Sequence, residues 1–489
     1  MKRNWCGASF DAIMLTFVRI VTMLISMVTF KVLAVTFSLE EYGTYASVML
    51  VATTTVSLTV LGLTDAVNYF YVKELDSEKG KVYVYTIFCI QCVIGFASGI
   101  LLICFKNPIA AYFKNSSVAY LIPGVAFSPL LTNVSNMLQV LFVTTKKAKV
   151  IAIRNLIISV LKIVLVTIAC IILRSILAVV LITLTLDFAS VAYMLIYCKA
   201  HIFPINILKA NLSLVKEILD YSIPMAAYVL TNTISKNMDK LIIGAMGTSE
   251  MVGIYSVASK ELPFDILTAS FLTVLIPYIT RFVGKKDFHN AATALSNYIQ
   301  ITYIVTWIIA GGALVCSKEL MVILYDKKYL PGLPVFCLYI FVDIIKFASI
   351  SLIFSSMNKA KELLCYSGVA LLLNAIFNIV FFKLWGILGP AIATVVVTLF
   401  LSCIITMRNA QMLCTKVFVV LRVKELMCIF VECILMGIVS YIIKTFLSDK
   451  VNTFWLFMIS YGVYITPLIA INYKKIMLLL REINKTKLS

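Results

Sequence analysis

The sequence predicts an all-α polytopic membrane protein of about fourteen transmembrane helices. They form two six-helix lobes related as parallel repeats, with two extra helices at the C-terminal end. Three observations predict this. Hydrophobic residues make up 62% of the chain and charged residues 13%, against roughly 45–50% and 25% in ordinary soluble domains. Fourteen apolar segments follow one another with short connections, each near the length of about 20 residues that a bilayer core requires. Finally, short motifs recur at one offset along the chain.

The segments cover residues 10–37, 44–64, 82–105, 117–143, 150–173, 175–197, 222–246, 251–280, 291–316, 333–357, 363–382, 386–407, 426–446 and 453–472. The start, Met1-Lys2-Arg3, has the look of a signal n-region. No small-residue cleavage site follows, and Arg19 and Lys31 interrupt the apolar run, so it reads as a first span. Prolines punctuate the fourth span (Pro123, Pro129), the eighth (Pro263, Pro277) and the twelfth (Pro390), and each frees a backbone carbonyl and permits a bend. The thirteen cysteines are scattered. The CxxC of Cys89 and Cys92 has no partner pair or histidine nearby, so it reads as membrane-compatible packing. Residues 202–221 alternate an apolar side (Ile205, Leu208, Leu212, Val215) with a charged one (Lys209, Lys216, Glu217), which predicts an amphipathic helix on the membrane face. These features divide the chain into an N-lobe (1–200), a linker helix (201–221), a C-lobe (222–408), a basic interfacial linker (409–425) and two extra spans with a basic tail (426–489).

The repeat rests on two matches. Glu40, Gly43 and Tyr45 recur as Glu250, Gly253 and Tyr255, and Lys147-Ala148-Lys149 recurs as Lys359-Ala360-Lys361. The offsets agree within two residues, and the equivalent loops lie six spans apart, an even number. The halves are therefore parallel repeats about an axis along the membrane normal. Loops on the side of the termini hold 25 Lys and Arg, and the opposite loops, taken with Lys444 at the end of its span, hold 9. The positive-inside rule then places both termini in the cytoplasm. Asn115-Ser116-Ser117 and Asn211-Leu212-Ser213 match glycosylation sequons, a pattern common by chance.

Eight cations sit within the apolar spans: Arg19, Lys31, Arg154, Lys162, Lys236, Lys240, Lys260 and Lys346. Each costs at least roughly 2.5–3.5 kcal/mol at a bilayer centre, so each needs a reason. The spans also hold Asp187, Asp239, Glu261, Asp265, Asp343 and Glu432, which leaves positive charge in excess. A water-filled cavity that receives something anionic accounts for the surplus, and this makes transport the leading class. Lys236, Asp239 and Lys240 share one helix face at spacings of three and four. Asp343 and Lys346 form an i, i+3 pair that neutralises itself. Arg154 lies near a helix end, from which it reaches the interface. The candidate coupling carboxylates are Asp187, Asp239, Asp265 and Asp343. There is no Walker A sequence, no HExxH and no metal-ligand cluster, so no cofactor is expected and energy comes from an ion gradient, a substrate gradient or a partner.

The runs Asn237-Met238-Asp239-Lys240-Leu241-Ile242-Ile243-Gly244 and Glu250 to Ala258 resemble a segment typical of the polysaccharide transport family. This is the Wzx-type O-antigen and capsule flippase group of the MATE-like superfamily, and the resemblance covers roughly residues 10–475. It implies a flippase, not an enzyme, that moves undecaprenyl-diphosphate-linked oligosaccharide repeat units across the cytoplasmic membrane by alternating access. It also implies a cationic cavity that receives the diphosphate: Arg19, Lys31 and Lys162 in the first lobe, and Lys236, Lys240 and Lys260 in the second. The expected partners are the lipid-linked oligosaccharide, membrane lipids, and a polysaccharide polymerase with its chain-length regulator. Nucleic acid is not among them, and a monomer is expected because two lobes already enclose a cavity. Two other readings share the fold: a multidrug antiporter, which the surplus of cations disfavours, and a peptidoglycan lipid-precursor flippase. A membrane glycosyltransferase or polymerase would need a large outer loop, and the longest here, near Ser317 to Gly332, is short.

Overall fold

A computed structural model describes residues 2–74, 77–260, 262, 279–346, 351–357 and 359–485. It is helical throughout, with no strand among the described residues. Internal contacts divide the chain into two compact units, residues 1–254 and 255–489.

The first unit contains α1 (Lys2–Thr36), α2 (Leu39–Thr59), α3 (Leu63–Lys73), α4 (Glu78–Cys104), α5 (Lys106–Tyr112), α6 (Ser116–Val125), α7 (Ser128–Thr144), α8 (Ala148–Ile168), α9 (Ile176–His201) and α10 (Val215–Met246), and it takes in the start of α11 (Ser249–Ala258). The second contains α12 (Phe288–Val315), α13 (Ser317–Leu324), α14 (Leu333–Ile345), α15 (Leu352–Ser356), α16 (Ala360–Trp385), α17 (Leu388–Met412), α18 (Val417–Leu421), α19 (Val423–Leu447) and α20 (Thr453–Lys485).

Twelve helical stretches among the described residues are long and apolar enough to cross a membrane, and they coincide with twelve of the fourteen predicted spans. The seventh predicted span is α10. At 32 residues and about 1.5 Å per residue it is long enough to cross, but Lys236, Asp239 and Lys240 lower its hydropathy. The eighth begins in α11, and most of it, with Glu261, Pro263, Asp265 and Pro277, lies outside the described residues.

Several spans are broken where the sequence breaks helix. The second bends between α2 and α3, where Leu61 (φ 45°) and Gly62 (φ 64°) are left-handed. Glycine is required at position 62 on two counts, because a Cβ there would also lie 2.5 Å from the Ser222 carbonyl oxygen of α10. At the bend the Val60 carbonyl accepts the Leu63 N–H at 2.9 Å, and the buried Gln91 amide also donates to it at 3.4 Å. The fourth span divides into α6 and α7, with Pro123 before the break and Pro129 at the start of α7. The fifth ends in a π turn, Ala169–Leu173, closed by a left-handed Arg174.

The segment 202–221 is not one amphipathic helix. It forms two 3-10 turns, Ile207–Lys209 and Leu212–Leu214, and its last residues open α10. Asn206 and Asn211 explain this, because each side chain accepts the N–H two residues on and starts a turn of its own. The link still lies on the surface, with Ile207, Leu208 and Leu212 exposed.

The repeat is visible in the backbone. Lys147 and Lys359 have the same dihedrals, φ −104° and ψ 28°. Their N–H groups donate to the carbonyls of Phe142 and Phe354, each at 2.7 Å. Both phenylalanines are fully buried, one in each unit's core. Ser38 caps α2 with a capping box through Glu41, and Thr248 occupies the same place before α11, accepting the Met251 N–H.

The two copies of the ExxGxY motif meet inside the first unit. A Cβ on Gly43 would sit 1.7 Å from the Ser249 carbonyl oxygen, and one on Gly253 would sit 2.7 Å from that of Leu39. Only glycine lets these backbones approach so closely. Asn115 pins the junction by donating to Thr44 Oγ1 at 2.8 Å and Ser249 Oγ at 2.7 Å. That role gives the first sequon a structural purpose.

Candidate functional site

The first unit is closed at one end by the Gly43–Gly253 contact and indented at the other. The indentation is a cavity of about 360 Å³, lined by Arg19 and Thr22 of α1, Asn68 of α3, Gln139 and Thr144 of α7, and Asn155 of α8. These residues lie near the helix ends that carry the 73–78 and 144–148 connections. Arg19 is exposed, and three amides surround the space it reaches. A guanidinium fork with carboxamides makes a donor-rich surface suited to phosphate and hydroxyl groups.

Behind this cavity stands a polar network that sequence reasoning placed elsewhere. Arg154 does not lie free at the interface. It is half-buried and donates to Ser190 Oγ (2.6 Å), Ser135 Oγ (2.6 Å) and Asn155 Oδ1 (2.8 Å), tying α7, α8 and α9 together. Asn155 therefore belongs to both the network and the cavity wall. Lys162 of α8 and Asp187 of α9, both half-buried, interact electrostatically, and Arg154 faces the same carboxylate. The structure thus places Lys162 and Asp187 on adjacent helices, within electrostatic range of each other.

On α10, Asp239 is buried at 1% exposure, Lys240 is half-buried and Lys236 is exposed, so the three span a gradient from core to surface. Lys31 is half-buried on α1. At twelve residues from Arg19 it lies about 18 Å along the helix, beyond the cavity. Lys260 is half-buried at the end of its helical segment in the second unit. Asp265 lies outside the described residues.

In the second unit Asp343 and Lys346 pair at 3.4 Å, with Asp343 the more buried. Two further ion pairs were not foreseen. Lys444 of α19 meets Glu319 of α13 at 3.2 Å with both side chains largely buried, and it donates to the Val315 carbonyl at 2.6 Å. Arg408 of α17 donates through Nε to Glu362 of α16 at 2.6 Å, and Tyr366 donates to the same carboxylate at 2.7 Å. These partners lie 46 or more residues apart in sequence, so spacing alone could not pair them. No group of three His, Cys, Asp or Glu is placed to hold a metal among the described residues.

Twelve helical stretches able to cross a membrane, with a cavity among them lined by one guanidinium and three carboxamides, fit the class of multi-pass membrane transporters. Comparison with solved structures agrees. The fold matches "Lipid II flippase MurJ, inward closed conformation" with a TM-score of 0.73 at 15% identity, covering 95% of this chain and 100% of that one. It also matches an inward-facing multidrug resistance MATE family transporter of the MOP superfamily, with a TM-score of 0.68 at 12% identity, covering 82% and 98%. A third match is a MOP superfamily transporter from Pyrococcus furiosus Vc1 whose binding pocket is described as reversed in polarity, with a TM-score of 0.57 at 12% identity, covering 84% and 95%. A comparison with curated proteins returned no match. Residues 32–334 match the model of a family described as polysaccharide biosynthesis protein. The chain belongs to that family, and its family and fold are those of transporters and flippases.

Proposed function

We propose that the chain is a flippase for polyprenyl-diphosphate-linked oligosaccharide repeat units, serving O-antigen, capsule or exopolysaccharide assembly in a bacterial inner membrane. The observation that carries this reading is the Arg19 cavity, where one guanidinium and three carboxamides face open space within apolar spans. A diphosphate needs a cation in a medium of low dielectric, and sugar hydroxyls need amide donors and acceptors. Arg19 takes the phosphate in this reading, and Asn68, Gln139 and Asn155 take the adjoining sugar. Lys162, Arg154 and Asp187 set the potential behind the wall. Lys31, Lys236, Lys240 and Lys260 are proposed as further cationic contacts along the path, and Asp187, Asp239, Asp265 and Asp343 as the coupling carboxylates. Polymerase and chain-length regulator remain the proposed partners of a monomer.

A second reading is favoured by one observation. The match to the lipid II flippase covers that chain's whole length, so a peptidoglycan precursor is the alternative cargo. Both cargoes carry a sugar on a polyprenyl diphosphate. Excess cations in the spans disfavour the third reading, export of cationic drugs.

The test is complementation in two bacterial strains, one lacking its O-antigen flippase and one depleted of its lipid II flippase. Surface polymer in the first strain, lost with Arg19→Gln in a chain still present in the membrane, supports the repeat-unit reading. Rescue of growth in the second strain alone shifts the assignment to the peptidoglycan precursor. Rescue of neither by a stably inserted chain overturns both.

A further inference from the structure

A second polar pocket lies in the second unit, outside the site described above. We infer that it holds the phosphate of an anionic phospholipid headgroup. The pocket encloses about 220 Å³ and is lined by His289, Thr293, Ser296, Cys414, Thr415 and Arg422. It sits between the first turns of α12 and the link that carries the chain from α17 through α18 into α19.

The donor set fits a phosphate: a guanidinium fork, an imidazole and the Thr415 hydroxyl, beside Thr293 and Ser296, whose hydroxyls donate to the His289 and Val419 carbonyls. The nearby carboxylates have other partners. Asp287 accepts the N–H and side-chain amide of Asn290, and Glu425 pairs with Lys475 at 3.6 Å. The backbone is also held in an unusual shape. Cys414 (φ 52°) and Arg422 (φ 45°), one on each side of α18, both occupy the left-handed region, which non-glycine residues enter at a cost. These two turns lay α18 across the end of the unit.

The tail of the ligand is implied by what surrounds the donors. Val420 of α18 is fully buried against α12, whereas Phe418 is 74% and Val419 56% exposed. Exposed Lys416, Lys424 and Lys286 flank them. Apolar side chains beside a row of cations mark an element seated where acyl chains meet headgroups. A phosphate with an attached acyl tail satisfies both halves of this surface, and a soluble anion satisfies only one.

The first unit repeats the pattern independently. After α9, the link over 202–214 turns back onto the start of α4, where the Asn211 N–H donates to Thr86 Oγ1 at 3.0 Å. This link exposes Ile207, Leu208 and Leu212 beside Lys199 and Lys209. Both units therefore close their sixth span with a basic, apolar-tipped link, and in the second unit that link encloses a pocket. The inference does not depend on the cargo proposed above.

Native mass spectrometry of the full chain, titrated with phosphatidylglycerol or phosphatidylcholine, tests it. The wild type is expected to retain phosphatidylglycerol at lower concentration than phosphatidylcholine. Arg422→Gln with His289→Gln is expected to raise half-saturation of the tightest phosphatidylglycerol adduct by about tenfold, the loss of a charge-assisted contact, with phosphatidylcholine unchanged. Thr415→Val keeps every charge and decides the matter if the double variant does not fold; a weakening of about fivefold is expected. Equal phosphatidylglycerol binding in the folded variants overturns the inference. So does displacement of the lipid by millimolar inorganic phosphate, which would make the pocket a site for soluble anions.

Discussion

At the scale of single residues, exposure separates the cations proposed to bind cargo from those that hold the fold. Arg19 is exposed in its cavity, so Arg19→Gln removes little packing, and in the function proposed here it removes a ligand contact. Transport in the complementation assay is expected to fall roughly tenfold or more, as one charge-assisted hydrogen bond warrants, with membrane-inserted protein unchanged by immunoblot. Lys444 is the opposite case. It is buried with Glu319 and the Val315 carbonyl, so Glu319→Ala strands a buried charge. A loss of about 3–5 kcal/mol is expected. A thermal melt of the purified chain should show it, and Glu319→Ala combined with Lys444→Met should recover most of it. Lys162 and Asp187 of the first unit are coupled at longer range, through the field between two half-buried charges. Lys162→Met with Asp187→Leu should therefore be milder in a melt than either single change, a coupling of about 0.5–3 kcal/mol. The cations themselves were legible in the sequence because charge inside an apolar run is conspicuous. The amides that make the cavity were not, since Asn68, Gln139 and Asn155 carry no periodic signal and converge only through the packing of three helices. Arg154 misled for a related reason. Its position near a helix end fits an interfacial side chain, but Ser135 and Ser190 come from distant helices to bury it.

Helices show the same division between what recurs along the chain and what meets in space. The ExxGxY and KAK motifs revealed the repeat, because equivalent turns demand equivalent residues: a cap at Ser38 or Thr248, a turn at Lys147 or Lys359. That the two glycines of the motif touch each other was invisible, since a repeat gives no distance between its copies. This contact makes a sharp prediction. In Gly43→Val the new side chain begins 1.7 Å from the Ser249 carbonyl oxygen, so the ends of α2 and α11 must part. Overpacking of this kind costs about 1–3 kcal/mol or more, and a melt of the variant should register it. Gly368, with open space around its Cβ position, provides the control: Gly368→Ala should leave the melt unchanged or slightly raised. The linker helix over 202–221 failed as an expectation because amphipathic spacing is blind to side-chain capping. Two asparagines that each start a turn outweigh the periodicity.

Across the whole molecule, charge predicts the orientation in the bilayer. The 25 basic residues on the side of the termini against 9 on the other favour one insertion by the positive-inside rule. The Arg19 cavity opens near the basic connections, and the Gly43–Gly253 junction lies at the other end of its unit. A cargo made in the cytoplasm would thus meet an open site, and the opposite end would have to part for release. Accessibility of single cysteines settles the orientation, in a background where the native cysteines are replaced. A cysteine at Ser448, in the connection after α19, should react with a membrane-impermeant maleimide in intact cells. One at Lys146, beside the cavity mouth, should react only after the membrane is permeabilised. Charge makes a further demand on the same labels. If basic loops set the orientation, changing Lys146, Lys147 and Lys149 to glutamine should loosen the bias locally, and a small fraction of the chains should expose position 146 outside. Labelling of both positions from the same side in the unaltered chain would break the even count of spans. The repeat would then relate its halves by inversion rather than by rotation, and the cavity would face the wrong leaflet for the cargo proposed.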